Sequence, residues 1–220
     1  MAAEHIKKEI VQMITKLSGK YSPYQVFYDW VHMMAIAMQN PLYLLHNDVW
    51  QERESDYVEL IKKYNSDEQK ELIKMFTLLV EAMECEIHDY LGEIYMESGC
   101  GNKNTGQFFT PYHISKLTAN TNLSKELPEK ITICEPSTGA GGMILATADI
   151  LKERGIDYQK RMKVVAQDLD WLGVYMSYVQ FSLIGIDAVV LQGDTLAETY
   201  HKGYDERRVY RTAKNMGVLI

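Results

Sequence analysis

The chain has 220 residues, of which 46% are hydrophobic, an ordinary composition for one globular domain or two small ones. Its net charge of -7 argues against a self-sufficient DNA clamp, because phosphate contacts normally require a basic face. No apolar run is long enough for a membrane span, and the N-terminus lacks the pattern of a signal peptide. Widely spaced cysteines without a CxxC pair favour reduced thiols in a cytoplasmic protein. Neither they nor the histidines form a pattern typical of a metal site.

Residues 1–98 have helical periodicity and are expected to form a helical bundle domain. Ser22 precedes a proline and is the predicted N-cap of the second helix. Ser66 and Gln69 form a capping-box pattern at the start of the longest helix, whose apolar face continues to Ile94. We interpret these apolar stripes as the core of the bundle and not as a cofactor or partner surface.

A glycine-rich loop at residues 98–106 separates this half from one in which short apolar strands alternate with helices. Crossovers of this length indicate parallel strands, so residues 99–220 are expected to begin a doubly wound, three-layer α/β domain. Gly155 and Gly185 are the predicted C-terminal residues that close the two helices. The predicted strands are 131–134, 164–166 and 188–191, and the predicted helices are Gly142–Glu153 and 171–184.

Each predicted strand ends in residues suited to a ligand, and ligands bind beyond the carboxyl ends of strands in open parallel sheets. The first strand runs into Glu135-Pro136-Ser137-Thr138-Gly139-Ala140-Gly141-Gly142, whose glycines allow close backbone approach. Ile144 replaces the third glycine of GxGxxG, which disfavours a dinucleotide site. A carboxylate at the loop entrance would repel a pyrophosphate and suits an ammonium or sulfonium group. The loop taken alone remains as compatible with a structural role as with binding.

Acidic residues follow the second and third strands. Asp168 is placed to accept hydrogen bonds from ribose hydroxyls, whereas Asp170 is the alternative that caps the next helix. Asp194, after the third strand, is placed to accept a hydrogen bond from an adenine amine, although Gly-Asp is also a common turn. The combination of a glycine loop and two acids at three successive strand ends favours a binding site over chance.

These motifs resemble those of DNA adenine-N6 methyltransferases, which use S-adenosylmethionine (AdoMet). The Glu135–Gly142 loop is similar to the AdoMet-binding loop of that family. Gly106-Gln107-Phe108-Phe109-Thr110-Pro111 resembles the upstream motif that folds over the methionine end of the cofactor. This order of motifs is that of the modification subunits of type I restriction–modification systems, and the resemblance covers residues 86–198. It implies a helical N-terminal domain followed by a partial Rossmann-like methyltransferase domain.

The resemblance also implies roles for individual residues. Asp168 would hold the ribose and Asp194 would reach the adenine amine. The remaining implied cofactor-binding residues are Phe108, Thr110 and Pro111 at the methionine moiety, and Glu135, Pro136, Ser137, Gly139 and Gly141 in the loop. The helical half would help to contact a specificity subunit and DNA.

One part of the family pattern is missing. Adenine methylation requires a clamp on the flipped base, which the family supplies through Asn-Pro-Pro-Phe or Asn-Pro-Pro-Tyr after the fourth strand. The sequence contains no such tetrapeptide. We therefore expect no catalytic residue in this chain, and we expect it to bind AdoMet but to methylate DNA only with a partner. The alternative is a non-catalytic interaction protein that retains the fold. Because the first strand lacks a neighbour on one side, its edge is expected to be covered by residues 216–220 or by a partner or second copy.

Overall fold

The computed structural model of the protein describes residues 2–100, 108–198 and 203–218. The chain forms two compact units. The first unit comprises Met1–Glu86 and Tyr90–Phe109, and the second comprises Ile87–Asp89 and Thr110–Ile220. The three residues Ile87–Asp89 are thus grouped with a part of the chain that begins more than twenty positions later.

The first unit is helical. Its helices are α1 (Ala2–Leu17), α2 (Pro23–Gln39), α3 (Asp48–Ile61), α4 (Ser66–Cys85) and α5 (Tyr90–Glu97). The predicted N-cap of α2 is confirmed, because the Ser22 side chain accepts a hydrogen bond from the backbone N–H of Gln25. The apolar stripes form a buried core, in which the largest side chains include Phe27, Trp30, Met75 and Tyr95. No helix in the described ranges is long and apolar enough to cross a membrane.

The N-cap of α4 differs from the prediction by one residue. Asn65, not Ser66, accepts hydrogen bonds from the backbone N–H groups of Asp67 and Glu68, and the Glu68 carboxylate accepts one from the Asn65 N–H. The local sequence matches the capping pattern in two overlapping registers. Glu68 carries a charge next to the positive end of the helix dipole, which favours the register that uses it over the one that uses Gln69.

The long helix expected to reach Ile94 is interrupted, and this prediction was wrong. The backbone of Glu86 is extended, with φ -156° and ψ 152°, and α5 begins only at Tyr90. The intervening residues have partners in the second unit, where the hydroxyl of Tyr112 donates to the carbonyl oxygen of Ile87. Tertiary hydrogen bonds to the backbone therefore outweigh the local helical pattern here.

The second unit contains a four-stranded sheet in the order β1-β2-β3-β4. The three predicted strands are confirmed and each is slightly longer than expected: β1 (Ile131–Glu135), β2 (Met162–Asp168) and β3 (Asp187–Gln192), all parallel. The helices of the second unit are α6 (Tyr112–Asn122), α7 (Gly142–Glu153), α8 (Tyr158–Arg161) and α9 (Trp171–Leu183). Gly155 and Gly185 have φ of +72° and +70°, as expected for residues that end α7 and α9.

The fourth strand lies at the other edge of the sheet from the one expected. Strand β4 (Val209–Arg211) pairs antiparallel with β3, whereas residues 213–217 form turns. Of the two expected covers for β1, the segment after residue 215 was therefore wrong for the described residues, whereas a partner or second copy stays a prediction. Within them β1 pairs with β2 alone, and its Thr132 and Cys134 side chains are exposed.

The capping register is directly testable by mutation. We expect Asn65→Ala to lower the free energy of unfolding by about 1 kcal/mol, because the first N–H groups of α4 lose their acceptor. Ser66→Ala should change it by less than about 0.5 kcal/mol, as for a surface position without a special contact. Urea denaturation followed by circular dichroism measures both. A larger loss for Ser66→Ala would mean that the other register is populated.

Candidate functional site

The glycine loop between β1 and α7 has a backbone that other residues would strain. Gly139 and Gly141 have φ of +51° and +94°, and Gly141 is the N-cap of α7. A Cβ atom at Gly141 would lie 2.6 Å from Cε1 of Phe181, a side chain on α9 with no exposed surface. The loop therefore depends on glycine both for its conformation and for its close approach to α9.

The carboxylate of Asp168, the last residue of β2, holds this loop. Its Oδ2 accepts a hydrogen bond of 2.7 Å from the Gly139 N–H, and its Oδ1 accepts one of 2.9 Å from the Asp170 N–H. Space for the carboxylate exists because residue 173 is glycine, since a Cβ atom there would lie 2.8 Å from Asp168 Cγ. Gly173 is thus a site residue that the sequence did not reveal.

Asp170 and Asp194 have different local roles. The Asp170 side chain accepts from the Leu172 N–H at 3.0 Å and is the N-cap of α9, which confirms the capping role weighed for it. Asp194 is exposed, and its Oδ1 accepts from the Leu196 N–H at 2.9 Å. Beside it, the Thr195 hydroxyl donates to the carbonyl oxygen of Pro136 at 2.6 Å. That bond connects the loop after β3 to the glycine loop after β1.

The electrostatics of the site favour a positively charged ligand. Burial raises the pKa of Glu135, and the nearby charge of Asp168 raises it further, while a hydrogen bond from the Ser137 N–H lowers it. Burial likewise raises the pKa of Asp168, against the lowering effect of its backbone hydrogen bonds. Among the described residues, neither carboxylate forms an ion pair with a basic side chain. A cation bound beside them would offset both their mutual repulsion and the cost of burying their charges.

The other predicted binding residues are less closely joined to this centre. Pro136 and Ser137 are exposed in the glycine loop. Thr110 and Pro111 are exposed just before α6. Ser115, in the first turn of α6, lies close to Gly142 at the start of α7. Phe108 belongs to the first unit and is 76% exposed, so its role stays a prediction. The motif residues Gly106 and Gln107 lie outside the described residues, as does most of the loop at 98–106.

Two buried polar residues behind the glycine loop were missed. Gln180 on α9 has no exposed surface, and its Nε2 donates to Asp89 Oδ1 and to the carbonyl oxygen of Ala140. Asp89 is 3% exposed. The sequence could have indicated the role of Gln180, because it is an amide in an otherwise largely apolar helix and a buried amide needs hydrogen-bond partners. No feature of the sequence indicated a role for Asp89, since the neighbouring residues predicted a continuous helix.

Solved structures show which fold this arrangement belongs to. A Listeria monocytogenes protein assigned to the class I S-adenosylmethionine-dependent methyltransferases aligns with a TM-score of 0.52 and 15% identity, over 91% of this chain and 55% of that one. The methyltransferase subunit of a type I restriction–modification system from Streptococcus thermophilus aligns with a TM-score of 0.45 and 16% identity, over 86% and 43%. The first alignment confirms the Rossmann-like methyltransferase fold. The chain spans about half the length of these two proteins.

The sequence itself gives the family. Residues 85–216, more than half of the chain, match the family described as N-6 DNA Methylase. The chain belongs to the N-6 DNA methylase family. No curated protein matches the sequence. AdoMet is the methyl donor of N-6 DNA methylases, so the cofactor expected from the sequence is confirmed at the level of the family.

The residues present fit AdoMet. Its sulfonium and ammonium groups are cations, and Glu135 and Asp168 offer two partly buried carboxylates that no described basic side chain neutralises. Its ribose carries hydroxyl donors, for which a carboxylate at the end of the second strand is the suitable acceptor. The glycines leave the loop without side chains at the positions where the backbone turns.

The glycine requirement at residue 141 can be separated from ordinary backbone strain. Gly155→Ala is the matched control, because Gly155 also has positive φ but has no atom within 4 Å of an added Cβ. We expect Gly155→Ala to destabilise the protein by about 1 kcal/mol, the strain alone. Gly141→Ala should cost about 2 kcal/mol or more, since overpacking against Phe181 adds to that strain. Equal losses in urea denaturation would show that the contact with Phe181 is easily relieved.

Proposed function

We propose that this chain binds AdoMet beyond the carboxyl ends of β1, β2 and β3, as the cofactor-binding part of a DNA adenine-N6 methyltransferase of the type I modification-subunit kind. The observation that carries the proposal is a pair of partly buried carboxylates, Glu135 and Asp168, beside a glycine loop. Neither forms an ion pair with a basic side chain in the part of the chain that the structure describes. In a member of the N-6 DNA methylase family, that pair matches the charge and the hydroxyl groups of AdoMet.

Each strand end has its own part in this binding. Glu135 faces the cationic part of AdoMet, and Asp168 accepts from the ribose hydroxyls. Asp194 accepts from the adenine amine, and the loop glycines allow the backbone to lie against the ligand. The proposed wall around the methionine moiety consists of Phe108, Thr110 and Pro111. AdoMet supplies the methyl group, and these residues bind and orient it.

Asp168 can bind a ligand without releasing the loop. Each carboxylate oxygen has two lone-pair directions, and the backbone N–H groups of Gly139 and Asp170 each use one oxygen. The backbone of Leu169 also hydrogen-bonds to this carboxylate, so part of its acceptor capacity, and not one position on each oxygen, remains for a ribose hydroxyl. Because backbone bonds fix the carboxylate before binding, little ordering is needed when the ligand arrives.

DNA methylation requires more than these residues. The sequence contains no Asn-Pro-Pro-Phe or Asn-Pro-Pro-Tyr, and its net charge of -7 is unfavourable for binding DNA alone. We therefore assign the clamp on the target adenine, and the selection of the DNA site, to residues that this sequence does not contain, and we propose a catalytic or specificity partner as their source. One edge of β1 is unpaired within the described residues, and Thr132 and Cys134 are exposed, which supports the alternative of a non-catalytic interaction protein that retains the fold.

Calorimetric titration with AdoMet tests the proposal, and Asp168→Asn is the decisive variant. We expect the wild type to bind and Asp168→Asn to bind about tenfold or more weakly, because an amide neither carries the charge nor accepts at both positions. Asp187→Asn is the control, since Asp187 lies at the other end of the strands, where it pairs with Lys163 and accepts from Asn215. Its affinity for AdoMet should equal that of the wild type.

Two results would contradict this proposal. Absence of AdoMet binding by folded wild-type protein would favour the interaction protein. Equal weakening by Asp168→Asn and Asp187→Asn would place the ligand elsewhere. In the same samples we expect no transfer of labelled methyl groups to DNA, and label in DNA would show that the chain is complete for catalysis.

The affinity for AdoMet should depend on pH in a defined direction. Both carboxyl pKa values are raised in the folded protein, so Glu135 and Asp168 take up protons above the ordinary carboxyl range of about 4. Only the ionised forms attract a cation, so affinity should fall as the pH is lowered from neutral toward the carboxyl range. Glu135→Gln should bind more weakly at high pH and show a shallower dependence.

Unfolding would not explain that loss of binding. A carboxyl group with a raised folded-state pKa makes its stabilising contribution below its unfolded pKa and loses it as the pH rises through the folded value. Acidification therefore favours the fold at these two groups while it weakens binding. Melting temperatures recorded at each pH separate the two effects. An affinity that rises on acidification would contradict the assignment of a cation to this pair.

A further inference from the structure

We infer that Asp89 and Gln180 are positioning residues, which hold the glycine loop in its binding conformation through hydrogen bonds that do not involve the ligand. This inference rests on the proposed function, since it concerns the same AdoMet site. It assigns a role to the segment Ile87–Asp89, which interrupts the helical pattern and is grouped with the second unit.

Gln180 connects the loop to the segment. Its Nε2 donates to the carbonyl oxygen of Ala140 at 2.7 Å and to Asp89 Oδ1 at 2.9 Å. Ala140 lies between Gly139 and Gly141, the two glycines of this loop that have positive φ. Because the carbonyl of Ala140 is held, the orientation of its peptide is fixed at the point where the loop turns into α7.

Asp89 adds a contact at the start of α7. A Cβ atom at Gly142, the first residue of α7, would lie 3.1 Å from Asp89 Oδ2 and 3.5 Å from Ser115 Oγ. The second carboxylate oxygen thus lies against the first turn of a twelve-residue helix, where the helix dipole favours negative charge. Asp89 therefore lies beside the loop at Gly142 and is connected to Ala140 through Gln180.

Asp89 is itself held in place by its neighbours. The Tyr112 hydroxyl donates to the carbonyl oxygen of Ile87 at 3.0 Å. The ring of His88 packs on the ring of Tyr112, with the centroids 4.2 Å apart. Tyr112 is the first residue of α6, so the segment, α6, α9 and the glycine loop form one connected buried group. Ser115, Asp89 and Gln180 are 0%, 3% and 0% exposed, so water has little access to replace a lost partner.

The test compares Gln180→Leu with Thr212→Val. Thr212 is also buried, and its hydroxyl donates to the carbonyl oxygen of Ile186, at the end of the strands away from the glycine loop. Both variants remove a buried hydrogen-bonding group, so both should lower the melting temperature. Only Gln180→Leu should weaken AdoMet binding, by about tenfold, the effect typical of a lost buried partner.

A second readout does not require the ligand. In wild-type protein without AdoMet, amide NMR resonances report the environment of the Gly139 and Gly141 N–H groups. We expect Gln180→Leu and Asp89→Ala to shift both resonances and Thr212→Val to leave them unchanged. Asp89→Asn should restore much of the wild-type pattern and affinity, because its side-chain oxygen still accepts from Gln180.

The outcomes separate the two proposals. If Gln180→Leu and Thr212→Val are equally destabilised, bind AdoMet like the wild type and leave the glycine resonances unchanged, Asp89 and Gln180 have no positioning role. If the wild type itself does not bind AdoMet, the proposed function fails, whereas the glycine resonances still decide whether these two residues hold the loop.

Discussion

The carboxylate of Asp168 is the point on which the second unit depends. Its side chain accepts from the N–H of Gly139 in the loop after β1 and from the N–H of Asp170 before α9. Its backbone carbonyl oxygen accepts from the N–H of Gly193 after β3 at 2.8 Å. One residue at the end of β2 thus aligns the loops of both neighbouring strands. Gly173 is required beside it because a side chain there would occupy the space of the carboxylate.

This arrangement has an electrostatic cost that binding would remove. Burial raises the pKa of both Glu135 and Asp168, which means that their ionised forms are less favourable in the folded protein than in water. Strained or repulsive groups that persist in a fold commonly mark a functional site, where a ligand compensates them. The cationic cofactor of the family is such a ligand.

Family membership and fold together define the chemistry that the site prepares. The chain belongs to the N-6 DNA methylases, and it has the fold of class I methyltransferases over its described residues. It spans about half the length of the solved proteins that it resembles. The part that it contains binds and orients the methyl donor in our proposal, and the recognition of adenine and of a DNA sequence is assigned to residues outside this sequence. This division is consistent with the acidic charge of the chain.

The sequence by itself determined the three parallel strands, the helices between them, the glycine closures at Gly155 and Gly185, and the cofactor class. These features follow from periodicity, turn residues and motifs, which are local in the chain. The tertiary structure alone decided the break before Tyr90, the pairing of β4 with β3, and the bond between Gln180 and Asp89, which are 91 positions apart. Asp89 lies in a segment whose local sequence predicts a helix. The helix does not form there because the buried partners of Asp89 are far away in the sequence, outside any local window. Contacts between distant residues depend on how the elements pack, and no spacing along the chain records that packing.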